Sequence, residues 1–183
     1  MLPRLRGRFG RPFTFVERCA STQRLLDAAP EGAVVAADEQ TEGRGRLGRT
    51  WDAPAGTSLL FSIVLVPDVP PDRLAELSVV AGTAVAEAVA AETGLITRVK
   101  HPNDVLIGGR KVAGVLAEAS EGRVVLGVGV NVSQAQDQLP SDGVTRATSL
   151  ALEGAVVDRA ALLAAVLERL EANYDRWVTS SGT

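Results

Sequence analysis

The sequence predicts an α+β domain in which a mixed β-sheet carries its helices mainly on one face. The predicted order is strand, helix, strand, strand, helix, then a meander of strands and a final helix. This order lacks the regular alternation of strand and helix that a doubly wound parallel sheet requires. In addition, Gly108-Gly109 lies between two apolar runs, which is typical of a tight antiparallel hairpin. The length of 183 residues fits one domain with a substantial core.

Strands are predicted where apolar and β-branched residues cluster between turn signals. The predicted strands cover residues 13–18, 32–38, 58–66, 95–100, 105–107, 111–118 and 123–132. Gly127 and Gly129 lie inside the last strand, where glycine indicates that another group comes close to the backbone.

Three segments are predicted to be helical. The first begins with Ser21 as its N-cap and is ended by Pro30. The second follows the start signal Pro70-Pro71-Asp72 and has Gly94 as its C-cap residue. The third runs from about residue 157 to 177 and is amphipathic. Its predicted inward-facing residues are Leu163, Val166, Leu167, Leu170 and Tyr174.

Composition narrows the classes of function. The formal net charge of −3 disfavours a general nucleic-acid coat protein, which would be basic. Cys19 is the single cysteine and cannot form an internal disulfide, which is consistent with a reducing compartment. No uninterrupted apolar run reaches the roughly 18 residues of a membrane span, and no apolar segment of a secretory signal follows the N-terminal arginines. We therefore expect a cytoplasmic protein with no membrane partner. We interpret residues 1–12 as a basic N-terminal tail that is either solvated or an arm that pairs with acids.

The first segment with chemical character is residues 43–51, Gly-Arg-Gly-Arg-Leu-Gly-Arg-Thr-Trp. Its glycines let the backbone fold closely around a ligand, its arginines offer forked donors to phosphate or carboxylate, and Trp51 can cover a flat apolar ring. The segment is not a P-loop, because the Gly-x-x-x-x-Gly-Lys-Ser/Thr pattern is missing. The alternative interpretation is a flexible tail-like loop that binds nucleic acid or nothing.

Two further segments each have a structural interpretation and a ligand-binding interpretation. Lys100-His101-Pro102-Asn103-Asp104 is good turn chemistry, but a return through the glycine turn can bring Lys100 and Lys111 to one site. Asp104 would then help to hold Mg²⁺. Asn131 lies in an apolar strand and needs a partner if it is buried; adenine is one such partner, and protein packing is the alternative.

Taken together, these segments resemble the biotin–protein ligase family. The family pattern reads Gly-Arg-Gly-Arg-x-Gly-Arg-x-Trp, Lys-Trp-Pro-Asn-Asp, Lys-x-x-Gly-x-Leu-x-Glu and Gly-x-Gly-x-Asn. The chain has residues 43–51, 100–104, 111–118 and 127–131 in the same order. Ser21-Thr22-Gln23 is similar to the family's Ser-Thr-Asn. The resemblance extends from about Phe13 to Trp177 and implies a class II synthetase-like fold.

The resemblance also implies roles for individual residues. The residues that it assigns to biotin are Ser21, Thr22, Gln23, Gln40, Arg44, Gly45, Arg46, Trp51, Lys111 and Gly114. Those that it assigns to the nucleotide are Lys100, Asn103, Asp104 and Asn131. Lys111 and Arg46 would stabilise the reacting phosphate and carboxylate. The implied substrates are biotin and ATP with Mg²⁺, and the implied acceptor is a lysine of the biotin carboxyl carrier domain of a carboxylase.

Departures from the pattern leave alternatives open. Gln23 replaces Asn, and His101 replaces Trp. We expect residues 13–178 to form the catalytic domain without the family's C-terminal β-barrel-like domain, and no repressor role because no N-terminal helix-turn-helix is present. A lipoate or octanoate ligase of the same fold is one alternative, although the octanoyltransferase cysteine lies late in that fold and Cys19 lies early. A non-catalytic biotin or nucleotide sensor is the other. A homodimer is left open.

Overall fold

The computed structural model describes residues 3–140 and 145–180. The strands are β1 Phe13–Cys19, β2 Val34–Gln40, β3 Ser58–Leu65, β4 Thr97–Lys100, β5 Asp104–Ile107, β6 Arg110–Ser120 and β7 Arg123–Asn131. The α-helices are α1 Leu77–Thr93 and α2 Arg159–Thr179. Short 3-10 helices cover Gln23–Leu26, Arg46–Gly48, Pro71–Glu76 and Gln136–Gln138.

The strands form one seven-stranded mixed sheet in the order β1-β2-β3-β7-β6-β5-β4. β1 and β2 are parallel, and all other neighbours are antiparallel. The predicted hairpin is confirmed: Gly108 and Gly109 both have positive φ, 55° and 80°, which a primed two-residue turn requires. The predicted α+β class with a mixed sheet is therefore confirmed.

Both α-helices cover the same face of the sheet. Leu59, Phe61 and Ile63 of β3 belong to one large core cluster with residues of α1 and α2, whereas Val64 belongs to a small cluster with Leu26. Because side chains alternate along a strand, the even-numbered residues of β3 face away from the helices. The predicted inward residues of α2 are all at most 4% exposed. Within residues 3–140 and 145–180, no α-helix covers the second face of the sheet, so this is the face on which we look for a ligand site.

α1 is a core helix. By length and composition alone, the segment Pro71–Thr93 could cross a membrane. It was not singled out from the sequence, because polar residues interrupt its apolar run. Leu77, Ala81, Val85 and Val89 are at most 1% exposed in the core cluster that α1 shares with the sheet and α2. Its apolar character is thus accounted for by packing, and Gly94 ends it with φ 72°, as predicted.

The predicted helix between Ser21 and Pro30 is wrong in length and in its cap. Only Gln23–Leu26 is helical, as a single 3-10 turn, and no side chain caps it. The physical reason is a competing interaction: Thr22 at the cap position uses both its N–H and its hydroxyl to bond the side chain of Gln40. A local cap signal was overruled by a contact with β2.

The N-terminal segment packs against α2 rather than extending into solvent. Arg8 forms ion pairs with Glu171 and Asp175, and Phe9 is 2% exposed with its ring centroid 5.6 Å from that of Tyr174. Of the two interpretations of residues 1–12, the pairing arm describes Arg8. The packed domain includes Phe9 and so begins before residue 13; residues 1 and 2 of the predicted tail lie outside the described residues.

Candidate active site

The floor of the candidate site is a patch of glycines on the face of the sheet that the two α-helices do not cover. Gly114 of β6 pairs with Gly129 of β7, and Gly127 lies two residues earlier on β7. A Cβ at Gly129 would lie 2.5 Å from Cε2 of Trp51, and one at Gly114 would lie 2.9 Å from its Cζ3. A Cβ at Gly127 would lie 3.1 Å from Cδ of Gln23. The prediction that another group approaches this backbone closely is therefore confirmed, and the groups are two side chains.

The Gly/Arg segment forms a short hairpin above this floor. Trp51 N donates to Gly43 O at 2.9 Å, and Gly45 N donates to Arg49 O at 2.7 Å. At the tip, Leu47 has φ 59° and is 87% exposed. The indole of Trp51 covers Gly129, and its buried Nε1 has no hydrogen-bond partner within the described residues. This N–H is thus an unsatisfied donor that is buried beside Gly129.

Two arginines tie the hairpin to neighbouring elements. Arg44 pairs with Glu118 of β6 at 2.6 Å, and Arg46 Nη1 donates to Asn103 Oδ1 at 3.3 Å. Sequence reasoning included Glu118 in a motif but gave it no role. Its position at the end of that motif was the signal that could have indicated a role. The pairing with Arg44 could be found only from the fold, because the two residues are far apart in the sequence.

The turn after β4 and the start of β6 supply a cluster of charges. Lys111 Nζ lies 2.8 Å from Asp104 Oδ1 and 5.5 Å from the ring centre of Trp51. Lys111 lies on the ligand face, because its Nζ would be 3.2 Å from a Cβ at Gly114. Lys100 Nζ donates to Thr145 Oγ1 at 2.6 Å. His101, which precedes Pro102 in the same turn, is exposed.

The described residues offer Mg²⁺ no site that is made of protein ligands alone. No group of three or more His, Cys, Asp and Glu side chains that could hold a metal occurs among the described residues. Asp104, the predicted ligand, is paired with Lys111. A magnesium ion that reaches this site would be held chiefly by the phosphates of a nucleotide, as is usual for this ion.

A cluster of buried and half-buried polar side chains, the polar pocket, lies at the end of β2. Ser21 and Thr22 are each 2% exposed and Gln23 is 6% exposed. Thr22 N donates to Gln40 Oε1 at 2.7 Å, and the Thr22 hydroxyl lies 3.1 Å from the same oxygen and 2.7 Å from the hydroxyl of Ser62. Gln40 Nε2 makes no hydrogen bond to the described part of the chain. Sequence reasoning missed Ser62; a serine in the middle of an apolar strand was the signal that could have found it.

The side chain of Gln23 is buried, although the residue lies at the start of a short 3-10 helix, where a polar side chain is often exposed. Its Nε2 donates to Val125 O at 3.3 Å, and its carboxamide covers Gly127. The extra methylene relative to asparagine thus lies over a position without a side chain, and the pocket accommodates the departure.

Asn131 has partners within the protein. It is 5% exposed; its Nδ2 donates to Thr148 O at 2.9 Å, and its Oδ1 accepts from Gln134 Nε2 at 3.1 Å. The partner that a buried asparagine requires is therefore supplied by the chain. One N–H and one lone pair of this carboxamide remain for a ligand.

β7 orders the three parts of the site. Every second residue of β7 lies on the same face of the sheet. Gly127, Gly129 and Asn131 therefore follow one another on this face, about 6–7 Å apart along the strand. Gly127 lies at the polar pocket, Gly129 under Trp51 and Asn131 at the far end beside Gln134. These three residues of β7 thus follow one another on one face of the sheet, and Lys111 of β6 lies beside the middle of this line.

Cys19 does not have the properties of a nucleophile. It lies at the end of β1, opposite Gln40, and burial raises the pKa of its thiol. A raised pKa lowers the fraction of thiolate at neutral pH, whereas a reactive cysteine needs the thiolate.

The chain belongs to the biotin/lipoate A/B protein ligase family, whose model matches residues 14–134. Among curated relatives, the biotin–acetyl-CoA-carboxylase ligase of Mycobacterium tuberculosis is 45% identical over 156 residues, which is 80% of this chain and 56% of that protein. The bifunctional ligase/repressor BirA of Bacillus spizizenii is 36% identical over 185 residues, or 95% of this chain and 57% of that protein. The chain therefore spans about half the length of the curated relatives that it matches.

A solved structure confirms the fold. The biotin protein ligase of Aquifex aeolicus, determined in complex with biotin and ATP, superposes with a TM-score of 0.81 at 35% identity. The match covers 91% of this chain and 72% of that chain.

Proposed function

We propose that the chain activates biotin with ATP to biotinyl-5′-AMP and transfers biotin to a lysine of an acceptor protein. One observation carries the proposal: a glycine floor under Trp51 has a buried polar pocket at one end and the Lys111 ammonium beside its middle. Biotin has the matching shape, with a polar ureido ring, an apolar body and a terminal carboxylate. The names of the relatives and the ligands of the Aquifex structure support the same substrates.

In the first step, a carboxylate oxygen of biotin forms a bond to the α-phosphorus of ATP. The bond from that phosphorus to the bridging oxygen breaks, and pyrophosphate leaves. The two reactants are both anions, so positive charge must offset their repulsion as they approach. Lys111 at the edge of the floor and Arg46 in the hairpin would supply this positive charge. Asp104 holds the Lys111 ammonium in place before ligands arrive.

In the second step, the amine of an acceptor lysine attacks the carbonyl carbon of the adenylate. An amide bond forms, AMP leaves with the electron pair of the broken C–O bond, and the amine loses a proton. The mixed anhydride must be kept from water until the acceptor binds. Arg44, Gly45 and Arg46 lie in the hairpin that would cover it.

The remaining assignments follow the layout of the floor. Ser21, Thr22 and Gln40 would bind the ureido ring, and Gln23 would line its pocket beside Gly127. Lys100 and Asn103 would bind the nucleotide phosphates, and Asn131 would use its remaining N–H and lone pair toward adenine. Mg²⁺ would arrive with ATP, and no step is assigned to a protein-bound metal.

The proposal extends to partners and location. The acceptor would be the carboxyl carrier domain of a carboxylase, which is consistent with the name of the Mycobacterium tuberculosis relative. A cytoplasmic location and a homodimer are part of the same proposal.

The lipoate or octanoate alternative is less well supported. An alkyl acid offers no partner to the free N–H groups of Gln40, and Cys19 is not activated. ATP–pyrophosphate exchange with biotin, with lipoate and with no acid separates the candidates. We expect exchange with biotin. Exchange with lipoate alone would establish the lipoate alternative, and biotin binding without any exchange would establish a sensor.

A further inference from the structure

We propose that Ser62 is a positioning residue that fixes the hydroxyl of Thr22 and thereby makes the polar pocket selective for a ureido ring. This inference rests on the proposed function and assigns a residue outside all of the motifs. It is carried by a chain of three buried or partly buried side chains, Ser62, Thr22 and Gln40.

Ser62 lies in a buried position, where a hydroxyl destabilises the fold unless it forms a hydrogen bond. It is 0% exposed in β3, whose sequence is Ser-Leu-Leu-Phe-Ser-Ile-Val-Leu, and it pairs with Gly127 across the sheet. By alternation with Ile63, which packs in the helical core, its side chain lies on the ligand face. A buried hydroxyl without a partner costs about 1–3 kcal/mol. Its partner here is the hydroxyl of Thr22 at 2.7 Å.

The donors and acceptors in this chain can be assigned by counting protons. The N–H of Thr22 can only donate, so the atom of Gln40 that it contacts at 2.7 Å is the carbonyl oxygen. The Thr22 hydroxyl lies 3.1 Å from that same oxygen and can only donate to it. Since a hydroxyl has one proton, the 2.7 Å contact then has Ser62 as the donor. The reverse arrangement would leave the Ser62 proton buried without a partner in the described chain, which is unfavourable.

The assignment determines what the pocket presents to a ligand. Gln40 keeps both N–H groups of Nε2 for an acceptor, and the oxygen of Thr22 keeps one lone pair for a donor. A ureido ring carries a carbonyl oxygen next to N–H groups, which is the complementary pattern. Ser62 contributes by holding the Thr22 hydroxyl in this state, so that the lone pair points to the ligand before binding.

The experiment compares three acids in the pyrophosphate-exchange assay. Biotin and desthiobiotin both carry ureido N–H groups, whereas biotin methylated on both ring nitrogens keeps the carbonyl but has no N–H to donate to Thr22. For Ser62→Ala we expect the KM for biotin and for desthiobiotin to rise about tenfold, the loss of one hydrogen bond, with kcat little changed. The KM for the methylated acid should stay the same.

Ser58→Ala is the matched control. Ser58 lies on the same strand and the same face and is also 0% exposed, but its hydroxyl accepts from Gln134 instead of bonding Thr22. This variant should leave the KM for biotin unchanged. If Ser62→Ala does not fold, as judged by circular dichroism, Ser62→Cys is measured by the same criteria, because it keeps the volume and weakens the donor.

Each outcome decides between the two proposals. An equal change for all three acids, or no change, overturns the role of Ser62 while the proposed function stands. If the parent protein shows no exchange with biotin, the proposed function fails, and the role of Ser62 fails with it. A selective rise for the two acids that carry ureido N–H groups supports both.

Discussion

The ammonium of Lys111 lies 2.8 Å from the carboxylate of Asp104, and the exposed fractions of these side chains are 23% and 19%. Because the pair is largely shielded, the lysine is held at the edge of the glycine floor before any ligand binds. A reacting phosphate and carboxylate would then meet a cation that needs little reorganisation, which is the condition for strong electrostatic stabilisation of a transition state.

Lys111→Ala should therefore lower the rate of pyrophosphate exchange about a hundredfold, or about 3 kcal/mol in activation free energy. Asp104→Asn should have a smaller effect, because the cation remains but is held less firmly. The rate of pyrophosphate exchange at saturating biotin and ATP measures the effect of each variant. Exchange by Lys111→Ala at the parent rate would contradict the assignment.

Arg46→Gly should act on retention of the intermediate. The contact of Arg46 with Asn103 is long, 3.3 Å, so its loss should not unfold the hairpin. The adenylate should still form but leave before transfer, since the hairpin has lost a donor to the phosphate. We expect biotin to appear on lysines of a bystander protein such as serum albumin, detected with streptavidin. Adenylate formation without bystander labelling would show that Arg46 does not retain the intermediate.

The ion pair between Arg44 and Glu118 should control how long the hairpin stays closed. Both side chains are about 40% exposed, so the pair is worth at most about 1 kcal/mol. Glu118→Gln should accordingly speed release of bound adenylate by up to about fivefold, and high salt should reduce the difference. Glu42→Gln is the control, because Glu42 lies beside the hairpin but pairs with Arg24. Equal release by the parent protein and Glu118→Gln at low salt would contradict this role.

His101 is exposed, and no hydrogen bond or ion pair of its side chain occurs in the described part of the chain. His101→Trp should therefore keep or raise the rate of adenylate formation, because the larger ring would add apolar surface beside the proposed nucleotide site. The rate of pyrophosphate exchange is the measurement. A complete loss would show that the imidazole itself has a role.

The sequence predicted those parts of the fold that depend on local signals. Gly94, the Gly108-Gly109 turn and the inward residues of α2 follow from backbone conformation and periodicity, which a short window contains. The helix after Ser21 failed because Thr22 bonds Gln40, which lies 18 residues away. The sequence predicted that another group approaches Gly127 and Gly129 closely, but not that these groups are the side chains of Gln23 and Trp51. Ser62 and Glu118 contact Thr22 and Arg44, which lie in connecting segments far from them in the sequence, and no local pattern encodes those distances.

Finally, the contact between the start of α1 and the end of α2 should make stability depend on acid. Hydrogen bonds from Arg73 and then from Trp177 lower the pKa of Glu76 to about 2 from an ordinary value of 4.5. A carboxyl whose pKa is lower in the folded state stabilises the fold above its unfolded pKa, and this contribution is lost as pH falls toward the folded value. The window is therefore about pH 4.5 to 2. Urea unfolding at pH 6 and pH 3 should show a smaller loss of stability for Glu76→Gln than for the parent protein. Glu17→Gln is the control, because Glu17 is exposed on β1 and its side chain has no bonded partner in the described chain. If Glu76→Gln and the parent protein lose the same stability between these pH values, the hydrogen bonds to Glu76 do not contribute in solution.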